Sequence, residues 1–498
     1  MGVTAAQPGG IGTSDTPEAG TIEVRGVDYI PERERRSHPR NLAWAMFGPQ
    51  FGFGNMFFGS LVITFGLGWW SAVTSIAVGV FLGSAIFAGM AIMAPKSGTN
   101  NATTSGAFFG IRGRYLGSAL SILIALGFTA ILVWTSGQTV IVVFDRIFGT
   151  GTGNVQLSIA MAIIALIAFA VAIYGHDTIA SMFKIISISS FVVCILSVIV
   201  LSNKFHAVHG GNYALGTFWP TWVLGVVVTA SLPISWGPFI GDYGRYIPQR
   251  ARSRDCAFWA FIGMFGGALI SLLIGAYVTT TFADPTTLLA TGYPKVAPLW
   301  LAILLMLTAG GLSNIESATM SIYNAGIDLQ AIFWRLSRTV LTLAISVIAL
   351  VVSYVALIGF NAINSVEAFV TLILAFVTPW LIIMVVGHLH RRGRYYTLDV
   401  QAFRTGNGKG AYWFDGGFNP RAWIAWIAGT GVGLLFTETS IITGPFPKHI
   451  SGIDLSFTSA AIVAAVVYYG LLKAFPERGV VPGDDPAAGA PPVLGMAE

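Results

Sequence analysis

Twelve runs of about twenty apolar residues each, separated by polar or glycine- and proline-rich joints, fill most of this chain. They are 42–66, 69–94, 116–144, 156–174, 178–201, 219–240, 257–282, 297–326, 338–358, 364–386, 421–443 and 454–474, named here spans 1 to 12. A bilayer offers no water to an unpaired backbone group, so runs of this kind cross it as helices. Charge tests the count. With the N-terminus set inside, every lysine and arginine except Arg146, Lys204, Lys295 and Lys448 falls on the inner side. The positive-inside rule therefore predicts a multi-pass protein of the cytoplasmic membrane with twelve spans and both termini in the cytosol.

Composition excludes other classes. Hydrophobic residues make up 54% of the chain and charged ones 10%, against roughly 25% charged in soluble domains. The net charge of +5 resides in loops and is no sign of nucleic-acid binding. Cys194 and Cys256 lie in or beside apolar spans and are read as small apolar residues rather than a disulfide. The histidines show no ligand spacing, and no nucleophile stands with a base. No metal, no cofactor and no enzyme activity are expected.

Residues 1–40 have no apolar core after a short basic start, so they are read as a disordered cytosolic tail and not a signal peptide. Residues 477–498 are read the same way. Between them, 41–476 forms one all-α transporter domain, divided into 41–201, 219–386 and the appended 421–474.

Two spans are broken. Span 1 reads NLAWAMFGPQFGFGNMFFGS, and span 6 ends in SLPISWGPFIGDYGRYIP. Broken helices persist in lipid only where protein or a watery cavity covers the break, so they mark a binding cavity near the midplane. Spans 1 and 6 open two five-helix halves, the order expected of a carrier built from two inverted five-helix repeats plus two helices. The echo between FGPQFG and WGPFIG is out of register, because Phe47 stands early in its span and Trp236 late. A channel would favour a pore ring of repeated subunits, and a receptor a signalling domain that this chain lacks.

Three residues stand out. Glu316 lies near the middle of span 8, with Ser313, Ser317 and Met320 at helical spacing around it. A carboxyl at that depth is a candidate for binding substrate or a coupling cation. It can hold a proton when closed off and release it when the cavity opens to water. Asp242 and Arg245 stand three residues apart where span 6 meets the cytosol, either as a gate or as an exposed ion pair of little energy.

The segment Trp236, Asp242-Tyr243-x-Arg245-Tyr246-x-Pro248 resembles the signature at the end of helix 6 in the purine–cytosine permeases of the nucleobase–cation symport-1 family. APKSGTNNATTSGAFFGIRG (Ala94–Gly113) and IYNAGIDLQAI (Ile322–Ile332) resemble two further family elements. The resemblance implies the amino-acid–sodium-transporter type of fold. It also implies import of a nucleobase such as cytosine or a purine, driven by a proton or sodium gradient. A hydantoin, a vitamin-precursor pyrimidine or another small heterocycle is the alternative cargo.

The resemblance also implies site residues. It puts a stacking aromatic on span 3, either Phe128 or, in a rival register, Trp134 with Gln138. Six residues at about 100° each turn Trp134 about 120° from Phe128. On span 6 it implies substrate contact with unwound backbone over Ser231–Trp236, through Ser231, Leu232, Pro233, Ser235 and Trp236; an aromatic usual near Pro233 is lacking. On span 8 it implies Ser313, Glu316 and Ser317, with Ser317 where an asparagine is common and Asn314 as a substitute. The coupling cation is expected at Gly48 and Phe51 of span 1 and at span 8. The stretch Thr308–Ser313 is poor in oxygen ligands at Gly311 and Leu312, which tilts the expectation from sodium toward a proton.

Overall fold

The computed structural model describes residues 28–174, 176–333, 335–358, 362–404, 409–439 and 442–482. Among its helices are α1 (Asn41–Phe47), α2 (Phe53–Thr64), α3 (Trp69–Met90), α4 (Tyr115–Phe148), α5 (Asn154–Tyr174), α6 (His176–Val200), α7 (Phe218–Ser235) and α8 (Ile240–Gly244). There follow α9 (Ser253–Thr279), α10 (Leu299–Leu307), α11 (Ser313–Ile332), α12 (Arg338–Ile358), α13 (Ala362–His390), α14 (Pro420–Leu435) and α15 (Ser456–Ala474). The outer surface is apolar. On α12, Val340, Leu343, Val347, Val351 and Val355 follow one another at helical spacing, each more than half exposed. A face of that kind is stable in hydrocarbon, not in water.

Among the described residues, eight helices are long and apolar enough to cross a membrane. Spans 1, 5 and 9 appear as the shorter apolar segments Phe53–Thr64, Ile185–Val200 and Thr339–Val355. Span 11 stops at Leu435, short of the 443 expected. The chain turns back there, because Phe446 N donates to Leu435 O and Gly444 N to Thr437 O.

Span 1 is interrupted between α1 and α2 by a 3-10 turn, Gly48–Phe51, and an extended Gly52 (φ −90°, ψ 151°). In span 6 the break falls later than expected. Ser231, Leu232 and Pro233 are helical, and the ladder fails only over 236–239. Pro233 costs one backbone bond and the helix absorbs it. Beyond Ser235 the bonds shorten to the three-residue type, Trp236 N to Pro233 O and Gly237 N to Ile234 O, and Pro238 has no N–H to resume the ladder. Span 8 carries an interruption that was not expected, a π-turn at Thr308–Leu312 between α10 and α11. Its sequence signal is the Gly310-Gly311 pair inside an apolar run.

The packing is reciprocal under exchange of span n with span n+5. Span 2 packs on span 6 as span 7 packs on span 1, and span 9 packs on span 3 as span 4 packs on span 8; spans 3 and 8 pack on each other. Glycine makes one of these crossings close. A Cβ on Gly59 would come within 1.9 Å of the Leu272 carbonyl oxygen, and one on Gly275 within 2.0 Å of the Met56 carbonyl oxygen. Small residues let backbones approach in this way in a bilayer.

Both tails are docked where they are described. Residues 1–27 and 483–498 of the two tails read as disordered lie outside the described residues. Residues 28–40, though, cling to one face of the bundle: Ile30 N donates to Gly98 O, Arg35 Nη1 to Pro95 O and Ser37 N to Tyr246 O. At the other end of the chain, Glu477 is buried in an ion pair with Arg391 at 2.7 Å, and Val480 and Val481 are buried behind it.

Candidate functional site

Each broken end has backbone groups that a continuous helix would have paired. At the span 1 break, side chains take them up. Pro49 O accepts from Asn55 Nδ2 at 2.9 Å and from Ser317 Oγ at 3.1 Å. Gln50 O accepts from Ser271 Oγ at 2.5 Å, and Gly54 N donates to Asn314 Oδ1 at 3.0 Å. Asn314 Nδ2 in turn donates to Thr135 Oγ1 of α4 at 3.0 Å. Asn314 therefore ties span 8 to spans 1 and 3, and its amide is committed to that scaffold.

Beside the break lies a small cavity lined by Phe128 of α4, Trp236 and Phe239 of span 6, Asn55 of α2, and Ser235, Ser317 and Ser321, with Ile124 and Leu132 as apolar wall. Phe128 is held from behind by Phe58, stacked at 5.7 Å, and by Phe369, edge-on at 6.0 Å. Trp236 stands edge-on to Phe239 at 6.2 Å. The space open to the centre of a water is about 10 Å³, which accommodates about one water. A ring enters only if these walls part.

Other expected residues lie elsewhere. Trp134 is buried edge-on against Phe57 at 5.8 Å and does not line the cavity; Gln138, one turn on, does not either. Ser231, Leu232 and Pro233 are buried within α7, with Ser231 Oγ donating to Val228 O at 2.6 Å. Ser231 O accepts from Ser235 Oγ at 2.6 Å and Pro233 O from Trp236 N at 3.2 Å, so the backbone over 231–233 is helical and not unwound as expected. Ser313 is fully buried at the start of α11.

Glu316 is 1% exposed, and Ser187 Oγ of α6 donates to its Oε1 at 3.1 Å and lies 3.4 Å from Oε2. Ser187 also abuts Gly48, where a Cβ would stand 2.5 Å from its Oγ. Spans 1, 5 and 8 therefore meet at Gly48, Ser187 and Glu316. The Phe51 ring packs edge-on against Phe191 of α6 at 4.9 Å. Leu312 is 45% exposed and points away. Among the described residues, no group of three or more His, Cys, Asp and Glu could hold a metal ion. Asp242 and Arg245 are both buried, at 3% and 0% exposure, so they are not a solvated surface pair. Arg245 Nη2 donates to Tyr246 Oη at 3.3 Å.

Sequence reasoning missed Asn55, Ser187, Phe239 and Ser321. The Ser317–Ser321 spacing of one helical turn and the Trp236–Phe239 spacing of three were the available signals. Ser187 had none, since partners across spans leave no mark in one chain.

A family model described as permease for cytosine/purines, uracil, thiamine, allantoin matches residues 29–458. The chain is 26% identical over 464 residues to the "Putative purine-cytosine permease YxlA" of Bacillus subtilis (strain 168), covering 91% of this chain and 96% of the relative. A shorter match, 23% identical over 254 residues, covers 49% of this chain and 42% of the "Vitamin B6 transporter TPN1" of Saccharomyces cerevisiae. Among solved structures, MHP1, described as a nucleobase-cation-symport-1 family transporter in a closed conformation with bromovinylhydantoin bound, superposes with a TM-score of 0.71 at 18% identity. That match covers 92% of this chain and 97% of the other. The inward-facing conformation of Mhp1 gives 0.68 at 19% identity, covering 91% and 96%. The shared feature is an all-α, multi-pass membrane fold.

Proposed function

The chain belongs to the family of permeases for cytosine/purines, uracil, thiamine and allantoin, and we propose that it imports a nucleobase such as cytosine or a purine together with a proton. It is a secondary active transporter and not an enzyme. In this reading twelve helices cross the cytoplasmic membrane as two inverted repeats, 41–201 and 219–386, plus 421–474. The basic face that carries the N-terminal segment is cytosolic.

The observation that supports a base most is the cavity itself. Phe128 and Trp236, from different repeats, line one space whose edge carries Asn55, Ser235, Ser317 and Ser321. A nucleobase has two flat faces and a rim of donors and acceptors, so it suits aromatic walls and an amide–hydroxyl edge. Rejecting analogues follows from the same groups, because an unpaired buried edge costs about 1–3 kcal/mol. Glu316 with Ser187, beside Gly48, is the coupling group: a carboxyl next to the span 1 break that gains a proton as the site closes and loses it as the site opens.

Equilibrium binding of labelled cytosine, adenine and hypoxanthine to the purified protein tests the cargo. Saturable binding of at least one base is expected. Phe128→Ala removes a stacking face and a buried ring, and should weaken binding about tenfold or more. Folded protein that binds none of the three turns the search to hydantoins and vitamin-precursor pyrimidines.

A further inference from the structure

Ser317 and Ser321 line the cavity. Continuing along the same face of α11 at steps of three and four are Asn324 and Asp328, both buried. This polar stripe runs from the cavity to the basic face, through the part of span 8 for which binding and coupling supply no role. At its end, Asp328 Oδ1 accepts from Asn100 Nδ2 at 2.9 Å. Ser121 of α4, and Asp242 and Arg245 of span 6, also interact with it.

Asn100 and its neighbour Asn101 sit in the turn between spans 2 and 3 and divide their attention. Asn100 takes hold of span 8, while its Oδ1 accepts from Thr103 N at 3.0 Å and caps a short helix. Asn101 takes hold of span 6: its Nδ2 donates to Gly237 O at 3.1 Å, within the span 6 break. Span 6 fits there only because residue 241 is glycine, since a Cβ on Gly241 would stand 2.5 Å from Asn101 N. The last turn of α11 is held too, with Arg114 Nη1 donating to Ala331 O. One short turn thus pins spans 6 and 8 between the cavity and the basic face.

We propose that Asn100, Asn101 and Asp328 form the inner latch of the transport cycle, and that the Asn100–Asp328 bond breaks when the path along the α11 stripe opens toward the cytosol. Asp328 is then a positioning residue: it touches no substrate, and it holds span 8 against the turn until release. The latch takes its meaning from the transport reading, but its test needs no substrate, so failure of the base assignment and failure of the latch are separate results.

The reporter is Ser321→Cys in full-length protein carrying Cys194→Ala and Cys256→Ala, labelled by a membrane-impermeant maleimide in inverted membrane vesicles. Slow labelling is expected with the latch intact. Asn100→Asp keeps the cap on Thr103 but removes the donor that Asp328 accepts from, and Asp328→Ala removes the acceptor. Each should speed labelling about tenfold or more, as expected where one partner of a buried hydrogen bond is lost and the other is left unpaired. Combining Asn100→Asp with Asp328→Asn exchanges amide and acid: the new amide at 328 donates to the new acid at 100, which still accepts from Thr103 N. Labelling should return toward the slow rate of the intact latch. Single variants that label no faster overturn the latch, and so does a double variant that labels as fast as the singles. Should Asn100→Asp fail to fold, Asp328→Ala decides alone: fast labelling supports the latch, and slow labelling overturns it.

Discussion

Glu316→Gln is expected to abolish accumulation driven by a pH gradient while leaving exchange of substrate across the membrane in place. The side chain keeps its shape, and its amide oxygen can still accept from Ser187 Oγ, which lies 3.1 Å from Oε1 in the native protein. What it loses is the ability to take up and release a proton at a site buried to 1% exposure between spans 1, 5 and 8. One pH unit is worth 1.36 kcal/mol, so a one-proton symporter can concentrate its substrate about tenfold per unit. In proteoliposomes with a one-unit inward gradient, the wild type should approach that ratio and the variant should stay near one. Counterflow of labelled against unlabelled base should persist. A variant that still concentrates substrate removes Glu316 from the coupling role; one that loses counterflow as well assigns it to binding or structure.

Arg391→Ala should destabilise the fold by about 3–5 kcal/mol. Arg391 lies at the end of the long run formed by span 10, with its Nε and Nη2 both donating to Glu477 Oε2, at 3.1 and 2.7 Å. Its Nη1 donates to Ala107 O at 2.7 Å, and the guanidinium lies over the Phe108 ring at 4.8 Å. Asn419 Nδ2 completes the cluster by donating to Glu477 Oε1 at 2.8 Å. The pair closes the chain after span 12 onto span 10 and onto the turn before span 3. Removing the cation leaves a carboxylate buried at 2% exposure without its charge partner, and that is the costly case. Arg391→Met with Glu477→Leu removes both charges and should recover most of the loss, because Asn419 keeps its 2.7 Å bond to Phe108 O. Thermal unfolding in detergent, followed by the loss of the monodisperse peak, measures both. A single variant within about 1 kcal/mol of wild type, the range of an exposed pair, would contradict the burial argument.

Much of the fold was legible because lipid imposes a coarse rule. Apolar run length reports membrane-crossing helices directly, and proline and glycine clusters at 47–54 and 233–241 report breaks. The level of a break was less legible. Pro233 drew attention to Ser231–Trp236, yet a helix tolerates one missing bond, and the ladder fails only where Gly237 and Pro238 follow. The π-turn at Thr308–Leu312 depends on packing that composition hides: a Cβ on Gly310 would stand 2.6 Å from Thr139 Cγ2.

In the site, polarity at depth pointed to Glu316, and helical geometry separated Phe128 from Trp134, but neither could choose between them. That choice depends on which face of α4 meets span 6, where Phe128 and Trp236 share a wall. The contacts made by residues 28–40 and 477–482 were hidden for a related reason. PERERRSHPR looks solvated, but Arg35 folds its charge inward, with Nε donating to Ile30 O at 2.7 Å and the guanidinium 5.0 Å from the Tyr29 ring. Glu477 looked like the start of a polar tail because its partner, Arg391, lies 86 residues away.

The central claim, a proton-coupled importer of a nucleobase, is tested most directly by uptake of labelled cytosine, adenine and hypoxanthine into proteoliposomes containing only this protein. Sodium is present or replaced, and a protonophore is added in a parallel set. The account predicts accumulation of at least one base that is indifferent to sodium and collapses with the protonophore. Accumulation that requires sodium and ignores the protonophore would contradict the coupling. No accumulation of any base under either gradient, with the protein folded and inserted, would contradict the claim itself.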